Sequence, residues 1–190
     1  MTIRNVLLAL ALTTFTLAGC TQNTTFGISA NVLAFVDEED ETGTLDGVTN
    51  ATVDVLGADG IALSNLGISE NQAADIETLS LEVVVDFSAD AGNGAVTIGA
   101  AIYLDEGSLN PPNGLIADDD VALAAGEDGT LTLNAEIDST DAANLEILQS
   151  GDAVIGVTLS LTGGATDEVT YNLQTVDLGG SYTPSDALTF

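Results

Sequence analysis

Acidic side chains are the main candidates for chemistry in this sequence, and they cluster at a few places. Carboxylates at alternate positions of an extended chain share one face, where a pair can chelate a hard cation such as Ca²⁺, which takes roughly six to eight oxygen ligands. The candidate Ca²⁺ ligands are Asp37, Glu39, Glu41, Asp46, Asp118, Asp120, Glu127 and Asp128. None of them fits the spacing of an EF-hand loop. Solvated acidic turns without a bound ion are therefore the first interpretation, and calcium binding is the alternative.

A pair of carboxylates can also act as the acid and base of a glycoside hydrolase, provided they lie roughly 5–10 Å apart across a sugar cleft. Glu82, Asp86 and Glu136 are the residues that extended strands would expose for this purpose. Sugar clefts also need aromatic walls, and the chain has no Trp and only three Tyr. A carboxylate-based hydrolase is therefore a remote alternative, and we expect no enzymatic activity.

The charge balance excludes most other catalytic and binding classes. The sequence has 190 residues with 30 Asp plus Glu, no His, one Cys and one basic residue, Arg4, for a formal charge of −29. Residues 21–190 therefore offer no His base, Lys amine, Arg clamp or Cys nucleophile. Nucleic acids and other anionic ligands are not expected as partners, because their affinity comes mainly from Lys and Arg.

The first twenty residues have the composition of an export signal. Arg4 precedes an apolar run of twelve residues, Val6–Leu17, which is too short to span a bilayer as a helix. The run ends in Leu17-Ala18-Gly19-Cys20, which resembles the lipobox of bacterial lipoproteins. The resemblance implies cleavage before Cys20 and attachment of lipid to its thiol and new amino group.

This resemblance also implies a location. We expect a signal peptide at residues 1–19, a lipidated Cys20 with a short tether to residue 25, and one domain at residues 26–190. Five extended residues would hold that domain within roughly 15–20 Å of the lipid. Thr21 follows the Cys, which in the sorting rule of enteric bacteria implies the outer membrane or cell surface if the host is Gram-negative.

Period-two alternation of apolar residues predicts about eight strands. The first covers residues 26–36 and the second 51–55; six more cover 79–87, 96–104, 121–123, 131–137, 155–161 and 169–173. Asn93-Gly94 predicts a hairpin between the third and fourth strands. The Gly126–Gly129 turn and Gly163-Gly164 predict direct connections within the last two pairs. Short strands separated by Gly and Asp turns are typical of an antiparallel β-sandwich.

One segment interrupts the alternation with helical spacing. Residues 139–149 place Leu145 and Leu148 three apart, and Ser139 or Thr140 can cap the N-terminus. A weaker helical signal covers residues 66–74. A short helix in a connection between sheets resembles the immunoglobulin-like outline, without the Cys pair and core Trp of true immunoglobulin domains.

The mature chain should carry −30 and no cation, so added salt should stabilise the fold by screening repulsion. Its mean hydropathy of +0.34 nevertheless predicts a folded core. We therefore expect an envelope lipoprotein whose β-domain has a structural or adhesion role and contacts an unknown surface component. The alternative is a lipoprotein that binds Ca²⁺, or is assembled by cations, through its acidic loops; no other cofactor is expected.

Overall fold

Alternating apolar and polar side chains form the central strands, as the sequence pattern predicts. In β6 (Val96–Glu106), buried side chains alternate with side chains that face outward. The computed structural model describes residues 24–36, 41–46, 52–109, 114–164 and 167–185. Within them the other strands are β1 (Phe26–Asn31), β2 (Thr42–Asp46), β3 (Thr52–Asp54), β4 (Ile61–Ala62), β5 (Ile76–Ala89), β7 (Leu115–Leu123), β8 (Asp128–Ile137), β9 (Ala153–Thr162) and β10 (Glu168–Tyr182).

These strands form two antiparallel sheets that enclose the core. Sheet A has the order β1-β10-β5-β8, with β2 also paired to β10, and sheet B has the order β3-β9-β6-β7, with β4 also paired to β9. The pairs β6–β7, β5–β8, β3/β4–β9 and β1/β2–β10 are nested one outside the other along the chain. Such a rolled long hairpin is the jelly-roll form of the β-sandwich. The predicted antiparallel sandwich is confirmed, and the likeness to immunoglobulin domains is confined to the two-sheet outline.

The predicted hairpin between β5 and β6 is wrong, because β5 belongs to sheet A and β6 to sheet B. The turn residue Asn93 is buried, and its side-chain amide donates to the backbone oxygen of Glu168 at 2.6 Å. The chain therefore crosses to the other sheet here and does not turn back beside itself. The connections β7–β8 and β9–β10 cross between the sheets in the same way, so they are not hairpins either.

Two short strands were not predicted. In β2, only Leu45 and Gly43 face inward, so the apolar alternation is too brief to be seen. β4 has two residues. The predicted first strand is too long: β1 ends at Asn31 and a 3₁₀ turn follows at Val32–Phe35. β10 continues past its predicted end because a bulge after Leu173 moves the buried positions onto Val176 and Leu178.

The predicted connecting helix is present as α2 (Ala142–Gln149), and it carries the chain from sheet A to sheet B. Its N-cap is Asp141, not Ser139 or Thr140. Thr140 is engaged elsewhere, because its backbone N–H and hydroxyl both donate to the Asp138 carboxylate. In the weaker helical region, a 3₁₀ turn at Leu63–Leu66 precedes α1 (Glu70–Ala74).

The core lies between the sheets and is built almost entirely from aliphatic side chains of the central strands. Ile98, Ile102 and Leu159 of sheet B face Phe87 and Leu178 of sheet A, and all five are at most 2% exposed. Leu148 anchors α2 on this core. In the described part of the chain, no helix is both long and apolar enough to cross a membrane.

Candidate functional site

The predicted calcium ligands lie in separate parts of the sandwich. Asp37, Glu39 and Cys20 lie outside the described residues. Glu41 precedes β2, and its backbone oxygen accepts a hydrogen bond from the N–H of Leu173. Asp46 is the last residue of β2, not part of a loop, and it lies opposite Glu168 of β10.

Asp118 and Asp120 lie in the middle of β7, not before a strand as predicted. Their neighbours on β6 are Ala101 and Gly99, so both aspartates are on the outer face of sheet B, as their alternate spacing predicts. The strand predicted at residues 121–123 is too short, because the acidic centre of β7 interrupts the apolar pattern on which the prediction depends.

Glu127 lies in the turn between β7 and β8, and Asp128 lies on sheet A, opposite the sheet that carries Asp118 and Asp120. The Glu127 carboxylate accepts the backbone N–H of Ala124 at 2.8 Å and so closes the β7–β8 turn. Asp128 begins β8 opposite Ser88 of β5. Among the residues that the structure describes, no three acidic side chains form a group able to hold a metal ion. Asp118 and Asp120 share one face, but the candidate ligands that can be located are not gathered into a group of three or more.

The three carboxylates considered for hydrolysis all face outward on sheet A. Glu82 and Asp86 lie about 13 Å apart along β5, at roughly 3.3 Å per residue, which exceeds the separation that a hydrolase pair needs. Asp86 also accepts the Thr130 hydroxyl at 2.6 Å. Glu82 does have a closer carboxylate, Asp177, directly opposite it on β10.

Glu82, Asp177 and Glu136 all line an open hollow of about 520 Å³. The rest of its lining is small, amide-bearing or aliphatic, and no aromatic side chain contributes to it: Ser29, Asn31, Ser80, Leu81, Asn134, Ala135, Leu178 and Gly179. Asp177 was not predicted as a site residue, because the bulge in β10 interrupts the apolar alternation before this residue. The hollow lacks the aromatic wall expected of a sugar cleft.

A second depression crosses the outer face of sheet B, and we call it the sheet B groove. Its main part is a hollow of about 320 Å³. A smaller hollow adjoins it and shares Tyr103 and Thr158 with it. The groove is lined by Thr52, Asp54, Gly99, Ala101, Tyr103, Leu115, Asp118, Asp120, Gly156, Thr158 and Ser160.

Small residues make this groove. Gly99 and Ala101 occupy successive outward positions of β6, whereas Gly156, beside Tyr103 on β9, is covered by the buried Leu109 side chain. A side chain at Gly99 would begin 2.8 Å from the Ser160 hydroxyl oxygen. The alternation in β6 is the sequence signal that could have indicated this groove, because it places Gly99, Ala101 and Tyr103 on one face.

Two buried polar side chains fix the end of the sandwich that carries the β5–β6 and β9–β10 loops, which we call the distal end. Asp167 is 3% exposed and accepts the backbone N–H groups of Gly94 and Gly164. The Asn93 side chain donates to the backbone oxygen of Glu168 and accepts from its N–H at 3.1 Å. Both side chains therefore link loops through backbone groups.

Asp138, at the other end, has a pKa below its ordinary value of 3.8. The hydrogen bond from the Thr140 hydroxyl at 2.6 Å is the main cause, and the backbone N–H of Thr140 adds to it. The side chain of Asp138 is partly exposed and holds the turn before α2. Its pKa shift is explained by the turn.

No protein-family model matches the chain, and no curated protein matches it significantly. Solved structures that resemble it include that of T=1 particles derived from infectious bursal virus, with 15% identity, TM-score 0.38 and 92% of this chain covered. This chain spans about 40% of that viral protein. A xylan-binding module gives 16% identity, TM-score 0.32 and 86% coverage of both chains.

A third match is a xylan-binding domain from Paenibacillus barcinonensis, with 11% identity and TM-score 0.31, covering 82% of this chain and 78% of that one. The three TM-scores lie below 0.5 and the identities below 25%. These matches therefore assign no family, ligand or partner to this chain.

Proposed function

We propose that this protein is a lipid-anchored, non-catalytic interaction domain of a bacterial cell envelope. The observation that carries the proposal is that the described chain enters at one narrow end of the sandwich, which leaves the broad outer faces of both sheets open. At this end, which we call the proximal end, the Thr25 and Thr183 hydroxyl oxygens lie 2.9 Å apart. The Phe26 ring also stacks on Tyr182 there, with centroids 5.3 Å apart.

The outer faces carry short side chains that can form hydrogen bonds with a partner. On sheet A, adjacent outward positions bring together Asn172, Asp86 and Thr130 in one row across the strands. Hydroxyls and amides donate and accept, whereas carboxylates only accept. A neutral or cationic surface suits these faces, because residues 21–190 contain no basic side chain to attract an anion.

Catalysis is disfavoured by the same inventory. Residues 21–190 have no His, Lys, Arg or Cys, which are the usual bases, electrostatic clamps and thiol nucleophiles of enzymes. Within the described chain, every buried side-chain nitrogen or oxygen has a hydrogen-bond partner. The two buried polar residues, Asn93 and Asp167, bind backbone groups of loops.

The anchor follows from the lipobox-like Leu17–Cys20 sequence. With Cys20 acylated, the proximal end would face the lipid and the distal loops would point away from it. The two outer faces would then be roughly perpendicular to the membrane surface and accessible to other envelope components. Two or three acyl chains would provide the multiple signals that stable anchoring needs.

Metabolic labelling with a radioactive fatty acid tests this proposal. The wild-type chain should incorporate the label and sediment with membranes, whereas Cys20→Ser should lose both properties. Thr21→Ser is the matched control and should behave as wild type. Absence of label from the wild type, or equal label in Cys20→Ser, would contradict the anchor.

A further inference from the structure

The sheet B groove is wide enough for an extended ligand. It runs from Asp54 on β3 to Asp118 on β7, across all four main strands of sheet B. Three strand spacings of about 4.8 Å give it a span of roughly 14 Å. Its floor is low because Gly99 and Ala101 have little or no side chain.

The lining combines three kinds of group. Thr158 and Ser160 provide hydroxyls from β9 in the middle of the groove, and Thr52 lies beside Ser160 on β3. Asp118 and Asp120 provide exposed carboxylates along the β7 side. The half-buried ring of Tyr103 and the exposed Leu115, which are paired across β6 and β7, form an apolar patch toward one side.

This combination matches the chemistry of a sugar chain. A pyranose ring has an apolar C–H face, which packs on an aromatic ring, and a rim of hydroxyls. Tyr provides a rigid apolar surface with a polar tip. Carboxylates accept hydrogen bonds from hydroxyls more strongly than neutral acceptors do.

Charge selects among sugar chains. Asp54, Asp118 and Asp120 flank the groove, and residues 21–190 contain no Lys, Arg or His to balance them. A polysaccharide with uronate, sulfate or phosphate groups would be repelled. We propose that the sheet B groove binds a neutral polysaccharide chain, an inference that rests on the proposed interaction function and names its ligand.

Affinity electrophoresis and calorimetry with the full chain, in a detergent without a sugar head group, test the proposal. The probes are hydroxyethylcellulose, glucomannan, arabinoxylan and dextran as neutral chains, polygalacturonate as an anionic chain and poly-lysine as a cationic one. At least one neutral polysaccharide should bind, and polygalacturonate should not. Binding should change little between about 0.05 and 0.5 M NaCl, because a neutral ligand makes no screened ion pairs.

Variants locate the site. Tyr103→Ala should weaken binding at least tenfold, and Tyr103→Phe should retain most of it because the ring remains. Thr158→Ala and Ser160→Ala should each weaken binding several-fold. Thr132→Ala and Ser80→Ala are the matched controls on the outer face of sheet A and should bind as wild type. Melting curves confirm that each variant is folded.

Three results would overturn the groove as a polysaccharide site. The first is no binding to any neutral chain, and the second is binding to poly-lysine alone. The third is weaker binding by the sheet A controls together with unchanged binding by the groove variants. Fatty-acid labelling distinguishes this failure from failure of the anchor. Acylation of Cys20 without polysaccharide binding would support the lipid-anchored domain and contradict the polysaccharide site. Polysaccharide binding without acylation would support the polysaccharide site and contradict the anchor.

Discussion

Two side chains at the distal end of the sandwich have structural roles that sequence patterns do not reveal. Asn93 looks like a turn residue, and Asp167 looks like one more surface acid. In the fold both are buried. The Asn93 amide donates to the backbone oxygen of Glu168 at the start of β10, and the Asp167 carboxylate accepts the backbone N–H of Gly94 in the β5–β6 loop. The partners that link the two loops, Gly94 for Asp167 and Glu168 for Asn93, are more than 70 residues away in sequence, so no local pattern could identify them.

Asp167→Ala should lower the free energy of unfolding by about 1–3 kcal/mol, because two part-buried hydrogen bonds from the backbone N–H groups of Gly94 and Gly164 lose their acceptor. Asp59→Ala, at an exposed position, is the control and should change it by less than about 0.5 kcal/mol. Urea denaturation measures both. Equal stability of the two variants would mean that Asp167 does not hold the distal loops.

Asp138 gives a prediction about pH. Because its folded-state pKa is depressed, the stability it contributes is present above the unfolded value near 3.8 and is lost as pH falls through the folded value. An NMR titration should therefore place the midpoint of Asp138 below 3.8. Thr140→Val should move it upward by removing the main hydrogen bond; an unmoved midpoint would contradict this cause.

At the level of elements, sequence predicted strands better than their connections. The long alternations of β5, β6, β8 and β9, and the Leu145/Leu148 spacing of α2, arise from local burial and were predicted correctly. Whether a Gly-containing turn leads back into the same sheet or across to the other depends on tertiary contacts. That is why three predicted connections within one sheet proved to be crossings.

For the candidate site residues too, local spacing was predictable and contacts between distant strands were not. Alternate spacing correctly placed Asp118 and Asp120 on one face. The groove itself depends on the neighbouring strands β3 and β9, which bring Thr52, Thr158 and Ser160 beside Gly99 and Ala101. Pairing between strands that are far apart in sequence could not be deduced from spacing, so the groove was not predicted.

Gly43 in β2 offers a test of sheet packing. An added Cβ there would lie 2.5 Å from the phenol oxygen of Tyr171, so the ring or the strand would have to move. Gly43→Ala should destabilise the fold by about 1–3 kcal/mol through overpacking. Gly27→Ala in β1 of the same sheet meets no atom within 4 Å and should not be destabilising. Thermal unfolding would compare them; similar melting temperatures would refute the clash.

For the whole molecule, charge is the dominant property. Residues 21–190 contain 30 acidic side chains and no basic ones, so internal salt bridges between side chains cannot offset the repulsion. Only solvation, neutral donors and external cations can stabilise these carboxylates. The fold is therefore expected to respond strongly to the ionic medium.

The melting temperature should rise clearly between low salt and 1 M NaCl, because the Debye length shortens from about 10 Å at 0.1 M to about 3 Å at 1 M. Calorimetric scans would measure this, and a flat or falling response would contradict the screening argument. CaCl₂ at matched ionic strength is the control. A much larger gain from Ca²⁺ would indicate discrete sites at the acidic residues.

The nesting of the strand pairs has a consequence for the order of events in folding. β10 pairs with β1, β2 and β5. In the described chain, β1 and β2 therefore cannot form their sheet pairing until β10 has been synthesised. Only β6 and β7 can pair across a short loop, and pairing between distant segments slows folding. A ribosome-bound chain that stops short of residue 168 would lack the partner of β1 and β2. Such a chain stays open during synthesis, which would suit export through a membrane before folding, as the proposed lipid anchor requires.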